Sequence, residues 1–320
     1  MMIENMEKRN RDGVDISVVI PVYGCPEALP ELYSRLVAVL EGMQIEFEIV
    51  MVDDSCPMGS WATVQDICMK DKRVKGIHFT KNFGQGCAVT AGVAASRGNW
   101  IITIDCDLQD VPENIPDLYN KVLEGYDVVF VRRTKRKDPF ITQQWAKLFH
   151  KAFCYMTEVN YDFDLATYLI ASRRAADKFL ESKDRGRDFG MYLMWLGYKH
   201  TFMEFEHGER HSGESSYSFI KKVKTAVGDM TSFSNRVLYI PIYLGLLSAA
   251  VSLIYIVYVF YRFFALGTDP EGWSTLAAAV FLFGGMILST LGIMGIYLGN
   301  IFDMNKDRPL YVVQDSINLE

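Results

Sequence analysis

The chain has 320 residues, of which half are apolar, and a formal net charge of −6. This length accommodates one large domain with an appendage, and the acidic balance argues against nucleic acid as the main partner, because phosphate backbones are bound by basic faces. The first 15 residues are polar and mixed in charge, so we expect no cleavable signal peptide.

Apolar runs alternate with helix-like stretches through the first 131 residues. Five runs predict β-strands about 25 to 30 residues apart, at 16–23, 47–52, 74–79, 100–104 and 127–131. The stretch LPELYSRLVAVLEGM, between the first two, has the pattern of an amphipathic helix. This rhythm predicts βαβ crossovers on a mostly parallel sheet, and therefore an α/β fold. The chain has no G-x-G-x-x-G after the first strand, which argues against a dehydrogenase. It has no G-x-x-x-x-G-K-S/T phosphate-binding loop either.

Acidic and amide side chains follow two of the predicted strands. Asp53 and Asp54 end the second strand, and Asp105, Asp107 and Gln109 follow the fourth. Ligands of open α/β sheets bind outside the carboxyl ends of the strands, where an acid commonly accepts hydrogen bonds from a ribose. The two sets would then face one crevice, one for a nucleoside and one for a metal on its diphosphate. Position alone leaves two structural explanations open: a helix N-cap for the first set and an Asx-rich turn for the second.

A glycine-rich loop, KNFGQG, follows the third predicted strand. Its glycines allow the backbone to approach a ligand closely, and Lys81 and Asn82 lie at the same edge of the sheet. From position, a contact of Asn82 with a nucleotide sugar and a plain solvated turn both remain open.

Two C-terminal runs, 237–261 and 276–302, contain no charged side chain. Each exceeds the roughly 20 residues that cross a bilayer, so both predict transmembrane helices; two buried helices of a soluble core are the alternative. Basic residues precede the first run and follow the second, while the connection is acidic, which predicts cytoplasmic termini in a multi-pass protein of the cytoplasmic membrane. The predicted organisation is a catalytic domain at 1–215, an amphipathic juxtamembrane segment at 216–236, a helical hairpin at 237–303 and a cytoplasmic tail at 304–320.

Six cysteines show no C-x-x-C spacing: Cys25, Cys56, Cys68, Cys87, Cys106 and Cys154. In a cytoplasmic domain we expect them to stay reduced and to act as small hydrophobic residues. His207 and His211 are four residues apart, but the segment between them does not have a helical pattern, so we predict no zinc site.

The chain resembles the inverting family-2 glycosyltransferases of GT-A fold, in particular the polyprenyl-phosphate glycosyltransferases of the dolichol-phosphate mannose synthase and bactoprenol glucosyltransferase type. The matching segments, in order across nearly the whole chain, are VVIPVYG, VDDS, KNFGQ, DCDLQDVPE, DVVFVRR, ERHSGESSY and two apolar helices followed by RPLYVV. A D-x-D pair alone is a weak signal, whereas this ordered combination is highly specific.

The resemblance implies a single-sugar transfer from a UDP- or GDP-linked donor to a polyprenyl phosphate, such as undecaprenyl phosphate, at the cytoplasmic membrane face. It assigns donor contacts to Pro21, Tyr23, Asp53, Asn82 and Asp105. It assigns Mg²⁺ or Mn²⁺ to Asp105, Asp107 and Gln109. Hard divalent cations take oxygen ligands and keep open positions for substrate phosphates, and as Lewis acids they stabilise a departing diphosphate.

The resemblance also implies an acceptor site. It assigns the lipid phosphate to Arg210 and Ser215, with Arg132 or Arg133, because guanidinium and hydroxyl groups suit phosphate oxygens. Asp107 and Arg210 would act in catalysis. Asp164 is the candidate base, with Asp162 as the alternative.

Three departures from the family pattern stand out. Gly24 and Cys25 replace an Asn-Glu pair that usually follows the first strand. Thr167 and Leu169 occupy the places of an acid and an arginine near the acceptor. Ser216 stands where a lysine is frequent, which removes one cation from the phosphate loop.

Two other functions remain open from the sequence. A processive polysaccharide synthase would share the donor half, but its Q-x-x-R-W motif is missing. A non-catalytic membrane scaffold that binds a nucleotide sugar would not need both donor and acceptor charges. Five glycines in the second apolar run allow helices to pack within one chain or between chains of a homo-oligomer.

Overall fold

The computed structural model describes residues 13–133, 150–151, 153–158, 165–182, 188–205, 230–231, 234, 236–266, 272–306 and 308–319. The chain divides into two compact units. The first comprises Met1–Lys151, Val159–Ser218 and Pro309–Glu320, and the second comprises Ala152–Glu158 and Phe219–Arg308.

The described part of the first unit contains one eight-stranded sheet. Its strands are β1 (Ile16–Val22), β2 (Phe47–Asp53), β3 (Val74–Phe79), β4 (Trp100–Thr103), β5 (Val128–Arg133), β6 (Leu165–Ser172), β7 (His200–Phe205) and β8 (Val313–Ile317). The spatial order is β7-β5-β6-β4-β1-β2-β3-β8. Strands β4, β1, β2 and β3 are parallel neighbours, β6 is antiparallel to both β4 and β5, and β8 is antiparallel to β3. The carboxyl ends of β1, β2, β3 and β4 therefore lie at one edge.

Helices cover this sheet because each has an apolar face at helical spacing. They are α1 (Leu29–Gly42), α2 (Ser60–Lys70), α3 (Gln85–Ala95), α4 (Ile115–Leu123), α5 (Arg173–Glu181) and α6 (Phe189–Trp195). In α1 the buried residues are Leu29, Leu32, Leu36 and Leu40, which recur every three or four positions. Helix α3 packs closely on the sheet at Gly92, where an added Cβ would lie 2.3 Å from Val19 Cγ1.

All five predicted strands are present, and the α/β fold with its mostly parallel sheet is confirmed. Strands β6, β7 and β8 were not predicted from the sequence. Strand β8 has the sequence VQDSI and is largely exposed, so it lacks the apolar pattern that marks a strand. It comes from the segment predicted to be only a tail. Tyr311 stacks on Phe79 at 5.0 Å between ring centroids, and the Asn318 side chain donates to two carbonyls of the first unit.

The second unit contains two long apolar helices, α7 (Tyr239–Leu266) and α8 (Trp273–Asn305). At 28 and 33 residues, they extend for about 42 and 50 Å, more than the roughly 30 Å of a bilayer hydrocarbon core. Their large apolar side chains are mostly exposed, as at Leu247 and Ile254. Among the described residues, these are the two helices with the length and composition to cross a membrane. They overlap the predicted runs 237–261 and 276–302.

Candidate active site

Three strand ends place the predicted donor residues at one edge of the sheet. Val22, the last residue of β1, is in register with Asp53, the last residue of β2. On its other side β1 pairs with β4, whose chain continues into Asp105. Pro21 is buried within β1, and Tyr23 directly after it is 53% exposed. The structure therefore brings the β1, β2 and β4 ends together, as parallel pairing requires.

Asp53 is fully buried, and one of its carboxylate oxygens is held in place. His78 Nδ1 lies 2.7 Å from Asp53 Oδ2, and the Cys56 amide donates to the same oxygen at 3.4 Å. Asp53 Oδ1 is also buried but has no hydrogen-bond partner among the described residues. Because an unsatisfied buried acceptor is unfavourable, Oδ1 is suited to receive an N–H or O–H from a ligand.

Burial raises the pKa of the Asp53 carboxyl above its ordinary value, and the hydrogen bond with His78 opposes that shift. His78 is itself oriented by Trp61, whose ring stacks on it at 5.0 Å. His78 was not among the site residues predicted from the sequence. Its position was detectable, because the predicted strands β2 and β3 are parallel neighbours and place His78 in register with Asp53.

Asp54, unlike Asp53, binds the backbone of the loop after β3. Its two carboxylate oxygens accept from the backbone amides of Phe83 at 2.6 Å and Gly84 at 2.8 Å. Gly84 has φ +97°, a conformation that requires glycine, and α3 begins directly after it. Helix α2 has Gly59 as its N-cap without a side-chain cap, so the N-cap explanation for these acids is wrong. Asp54 instead fixes the loop that carries exposed Lys81 and Asn82.

The loop after β4 carries the predicted metal ligands. Asp105 Oδ1 accepts from Gln85 Nε2 at 2.8 Å, which ties this loop to the start of α3. Asp107 Oδ1 accepts from the Gln109 backbone N–H at 3.1 Å, so the Asx-type turn is present as well. Leu108 between them has φ +63° although it is buried, which costs about 1 to 2 kcal/mol of backbone strain. Backbone strain of this kind persists only where surrounding contacts hold it.

The residues of this loop fit a hard divalent cation by their chemistry. Asp105 and Asp107 are half-buried carboxylates, and Gln109 adds an amide oxygen. The described residues contain no group of three His, Cys, Asp or Glu side chains close enough to hold a metal alone. A site of this kind matches Mg²⁺, which proteins commonly bind through one or two carboxylates together with substrate phosphates and water.

A disulfide joins Cys25 to Cys106. The prediction that every cysteine stays reduced is therefore wrong for this pair, because the loops after β1 and β4 bring together residues that are 81 positions apart. The four other cysteines form no disulfide among the described residues. Cys68 behaves as the predicted small hydrophobic residue, since it is buried and burial raises the pKa of its thiol to about 11. Cys56 is partly exposed, and its Sγ accepts from the Gly24 amide at 3.1 Å.

The predicted acceptor residues are only partly within the described residues. Arg132 and Arg133 are the last two residues of β5. The Arg132 guanidinium lies 3.5 Å from Glu204 Oε1 and 4.8 Å from the centre of the Phe202 ring. The remaining acceptor and base candidates lie outside the described residues: Asp162, Asp164, Arg210 and Ser215.

A mostly parallel α/β sheet with carboxylates at the carboxyl ends of its strands is the architecture of a GT-A glycosyltransferase. The chain belongs to glycosyl transferase family 2, whose family model matches residues 17–183. It is therefore a glycosyltransferase.

Three relatives match almost the full length of the chain. An uncharacterized glycosyltransferase, YkcC, of Bacillus subtilis is 35% identical, with 96% of this chain and 95% of the relative covered. The bactoprenol glucosyl transferase of Shigella phage SfV is 29% identical, with 94% and 98% covered. The undecaprenyl-phosphate 4-deoxy-4-formamido-L-arabinose transferase of Aeromonas hydrophila is also 29% identical, with 96% and 95% covered.

Proposed function

We propose that this protein transfers a single sugar from a UDP- or GDP-linked donor to a polyprenyl phosphate, with inversion at the anomeric carbon, at the cytoplasmic face of the membrane. The observation that carries the proposal is the placement of Asp53, Asp105 and Asp107 at the carboxyl edge of one sheet, at the end of β2 and just after β4. The full-length match to two relatives named for bactoprenol and undecaprenyl phosphate supports the acceptor class.

The donor nucleoside binds at the ends of β1 and β2. Asp53 Oδ1 is a buried acceptor that needs a donor, and a nucleoside supplies N–H and O–H groups. Tyr23, exposed at the end of β1, offers an aromatic face beside it. Asn82 lies on the loop that Asp54 fixes, and it contacts the sugar nucleotide from the β3 side.

Mg²⁺ or Mn²⁺ is the cofactor of this proposal, held by Asp105, Asp107 and Gln109. When bound, the ion supplies positive charge that stabilises the departing nucleoside diphosphate. The protein's own contribution is to keep the two carboxylates on one short loop, with Asp105 anchored by Gln85. Without a cation, these two acids would repel each other.

The transfer needs little general-base help. A lipid monophosphate is already an anion near neutral pH, and its oxygen attacks the anomeric carbon from the face opposite the leaving group. The bond between the lipid phosphate oxygen and the anomeric carbon forms as the bond between that carbon and the diphosphate oxygen breaks, and the nucleoside diphosphate departs. Positioning and charge neutralisation then supply most of the rate. Arg132, Arg133, Arg210 and Ser215 bind the acceptor phosphate in this proposal, and Asp164 is the base if one is used.

The two apolar helices anchor the protein in the membrane where the lipid acceptor resides. Helices α7 and α8 are long enough to span the bilayer. The basic residues before α7 and after α8 support a topology with both termini on the cytoplasmic side. Nucleotide sugars are cytoplasmic, so this topology gives the catalytic domain access to both substrates.

The test is a product assay with the full chain purified in detergent. The enzyme is incubated with Mn²⁺, undecaprenyl phosphate and a panel of UDP- and GDP-sugars, and the lipid phase is examined by mass spectrometry. We expect one glycosyl-phosphoryl-undecaprenol species that disappears with EDTA. A polymeric product would instead support a processive synthase, and nucleotide-sugar binding without any lipid product would support a scaffold; either result would contradict the proposal.

A further inference from the structure

The disulfide lies at the carboxyl edge of the sheet, next to the two acids assigned to the metal. Cys106 stands between Asp105 and Asp107, and its partner Cys25 follows the end of β1 by three residues. The Cα atoms of the two cysteines are 6.2 Å apart, and each residue is only 7% exposed. The bond therefore ties the loop after β4 to the loop after β1, at the carboxyl ends of two paired strands.

The backbone on the β1 side is shaped to present Cys25. Gly24 has φ +80°, which any other residue adopts only with strain, and it turns the chain immediately before Cys25. The Gly24 amide also donates to Cys56 Sγ, so a third sulfur supports the same turn from the β2 side. The sequence departure at positions 24 and 25 thus has a structural role.

The backbone of the loop after β4 is strained and depends on surrounding contacts to hold its conformation. Leu108, two residues after Cys106, is held in the left-handed region, and the Asp107 side chain closes a turn over Gln109. A hydrogen bond from Gln85 anchors Asp105. Among the contacts described for this loop, the disulfide is covalent, and it holds Cys106, which lies between Asp105 and Asp107.

We propose that the Cys25–Cys106 disulfide is a reversible positioning clamp on the metal-binding loop, so that metal and donor binding depend on the oxidation state of this pair. The inference rests on the proposed function, because it takes Asp105 and Asp107 as the metal ligands. In the oxidised form the loop is preorganised for the cation. In the reduced form the strained loop is released to other conformations, and binding must restore its order.

The redox step is a two-electron thiol–disulfide exchange with a dithiol reductant. One reductant thiolate attacks a sulfur of the pair, the Cys25–Cys106 bond breaks, and the other cysteine leaves as a thiolate that takes up a proton. The second reductant thiol resolves the mixed disulfide. The products are two cysteine thiols and the oxidised dithiol. Oxidation by a diazene such as diamide reverses the change.

The first experiment maps the bond and the motion of the loop without any substrate. The full chain in detergent is treated with dithiothreitol or with diamide, free thiols are alkylated, and peptides are analysed by mass spectrometry. Hydrogen exchange of the metal-free enzyme is then followed for the peptide that covers 104–112. We expect a linked 25–106 peptide after diamide, and faster exchange of the loop after reduction. A 25–56 link, or equal exchange in both forms, would overturn the clamp.

The second experiment separates positioning from simple stability. Reduction of the wild-type enzyme is expected to raise the Mn²⁺ and donor concentrations for half-maximal rate on the order of fivefold, with kcat at saturation nearly unchanged, as expected for loss of preorganisation. Cys25→Ser should show this raised requirement in both redox states. Cys68→Ala, a control on α2, should respond to reduction like the wild type.

These readouts distinguish the clamp from the proposed function. If no donor yields a lipid product, the peptide map and the exchange rates still test the clamp in the same samples. If Cys25→Ser fails to fold, the reduced and reoxidised wild-type forms carry the comparison. A wild-type enzyme whose Mn²⁺ requirement is the same in both forms would contradict the proposal.

Discussion

The two acidic strand ends of this glycosyltransferase differ in burial and in the backbone that carries them. At the β2 end, Asp53 and Asp54 are buried, and each carboxylate has fixed partners on the β3 side of the sheet. At the β4 end, Asp105 and Asp107 are half-buried on a short loop with a strained residue. A buried, fixed acid suits the recognition of a neutral nucleoside, whereas partly solvated acids on a loop suit a cation and its phosphates. In the proposed function, the β2 end therefore binds the nucleoside and the β4 end binds the cation.

The largest effect is expected at the β4 end. Asp107→Ala removes a carboxylate from the cation site, and we expect turnover to fall by about 10²-fold or more, as for the loss of other transition-state charge stabilisers. The measurement is kcat at saturating Mn²⁺ and donor. Asp117→Ala, an exposed acid in the first turn of α4, is the matched control and should retain normal turnover. Near-normal turnover in Asp107→Ala would contradict the assignment of Asp107 as a metal ligand.

A smaller effect, on a different parameter, is expected at the β2 end. Asp53→Asn keeps the side-chain shape but removes the charge that receives the nucleoside, so we expect the donor KM to rise about 10- to 100-fold, the equivalent of one charged hydrogen bond of roughly 1.5 to 3 kcal/mol. The requirement for Mn²⁺ should be unchanged. A change in the Mn²⁺ requirement without a change in donor KM would reverse the assignment of the two ends.

His78 sharpens the comparison, because it acts through Asp53. His78→Phe keeps a ring to stack on Trp61 but loses the Nδ1 contact to the carboxylate. We expect the donor KM to rise a few-fold, in line with the roughly 1 kcal/mol of an ordinary hydrogen bond, with kcat preserved. In the Asp53→Asn background, the same substitution should have little further effect on KM. Additive effects in the double variant would show that His78 does not work through Asp53.

The smallest effect concerns stability. Burial raises the pKa of the Asp53 carboxyl, so the folded state binds this proton more tightly than the unfolded chain does. The contribution of the group to stability therefore falls as the pH rises from 3.8, its ordinary pKa, through its raised pKa in the folded state. At neutral pH, Asp53→Asn is expected to increase the thermal unfolding midpoint by a few degrees. The gain should shrink as pH falls toward 4. A decrease of the midpoint at neutral pH would show that the buried Asp53 carboxylate does not destabilise the fold.

The sequence predicted the parts of this site that depend on strand order. Five apolar runs were enough to place Asp53 and Asp105 at one edge, because parallel strands share their carboxyl ends. Asp54 was ambiguous, since nothing in the sequence shows that its oxygens meet the amides of Phe83 and Gly84. Predicting the contact of His78 with Asp53 requires the register between β2 and β3, which the apolar pattern of the strands does not give.

The disulfide and the last strand were beyond the reach of sequence patterns for physical reasons. Cys25 and Cys106 meet only because β1 and β4 are neighbours and both loops turn toward each other, and their spacing of 81 residues has no local signature. Strand β8 pairs along its backbone with an edge strand while its own side chains stay polar and exposed, so hydrophobic periodicity does not mark it.

The most direct test of the account is the binding of Mn²⁺ to the full-length enzyme in the presence of UDP or GDP, measured by electron paramagnetic resonance. We predict one tightly bound ion per chain with the preferred nucleotide in the wild type and in Asp117→Ala, and loss of that ion in Asp107→Ala. Equal Mn²⁺ binding in the wild type and in Asp107→Ala would contradict the claim that the β4 end holds the cation.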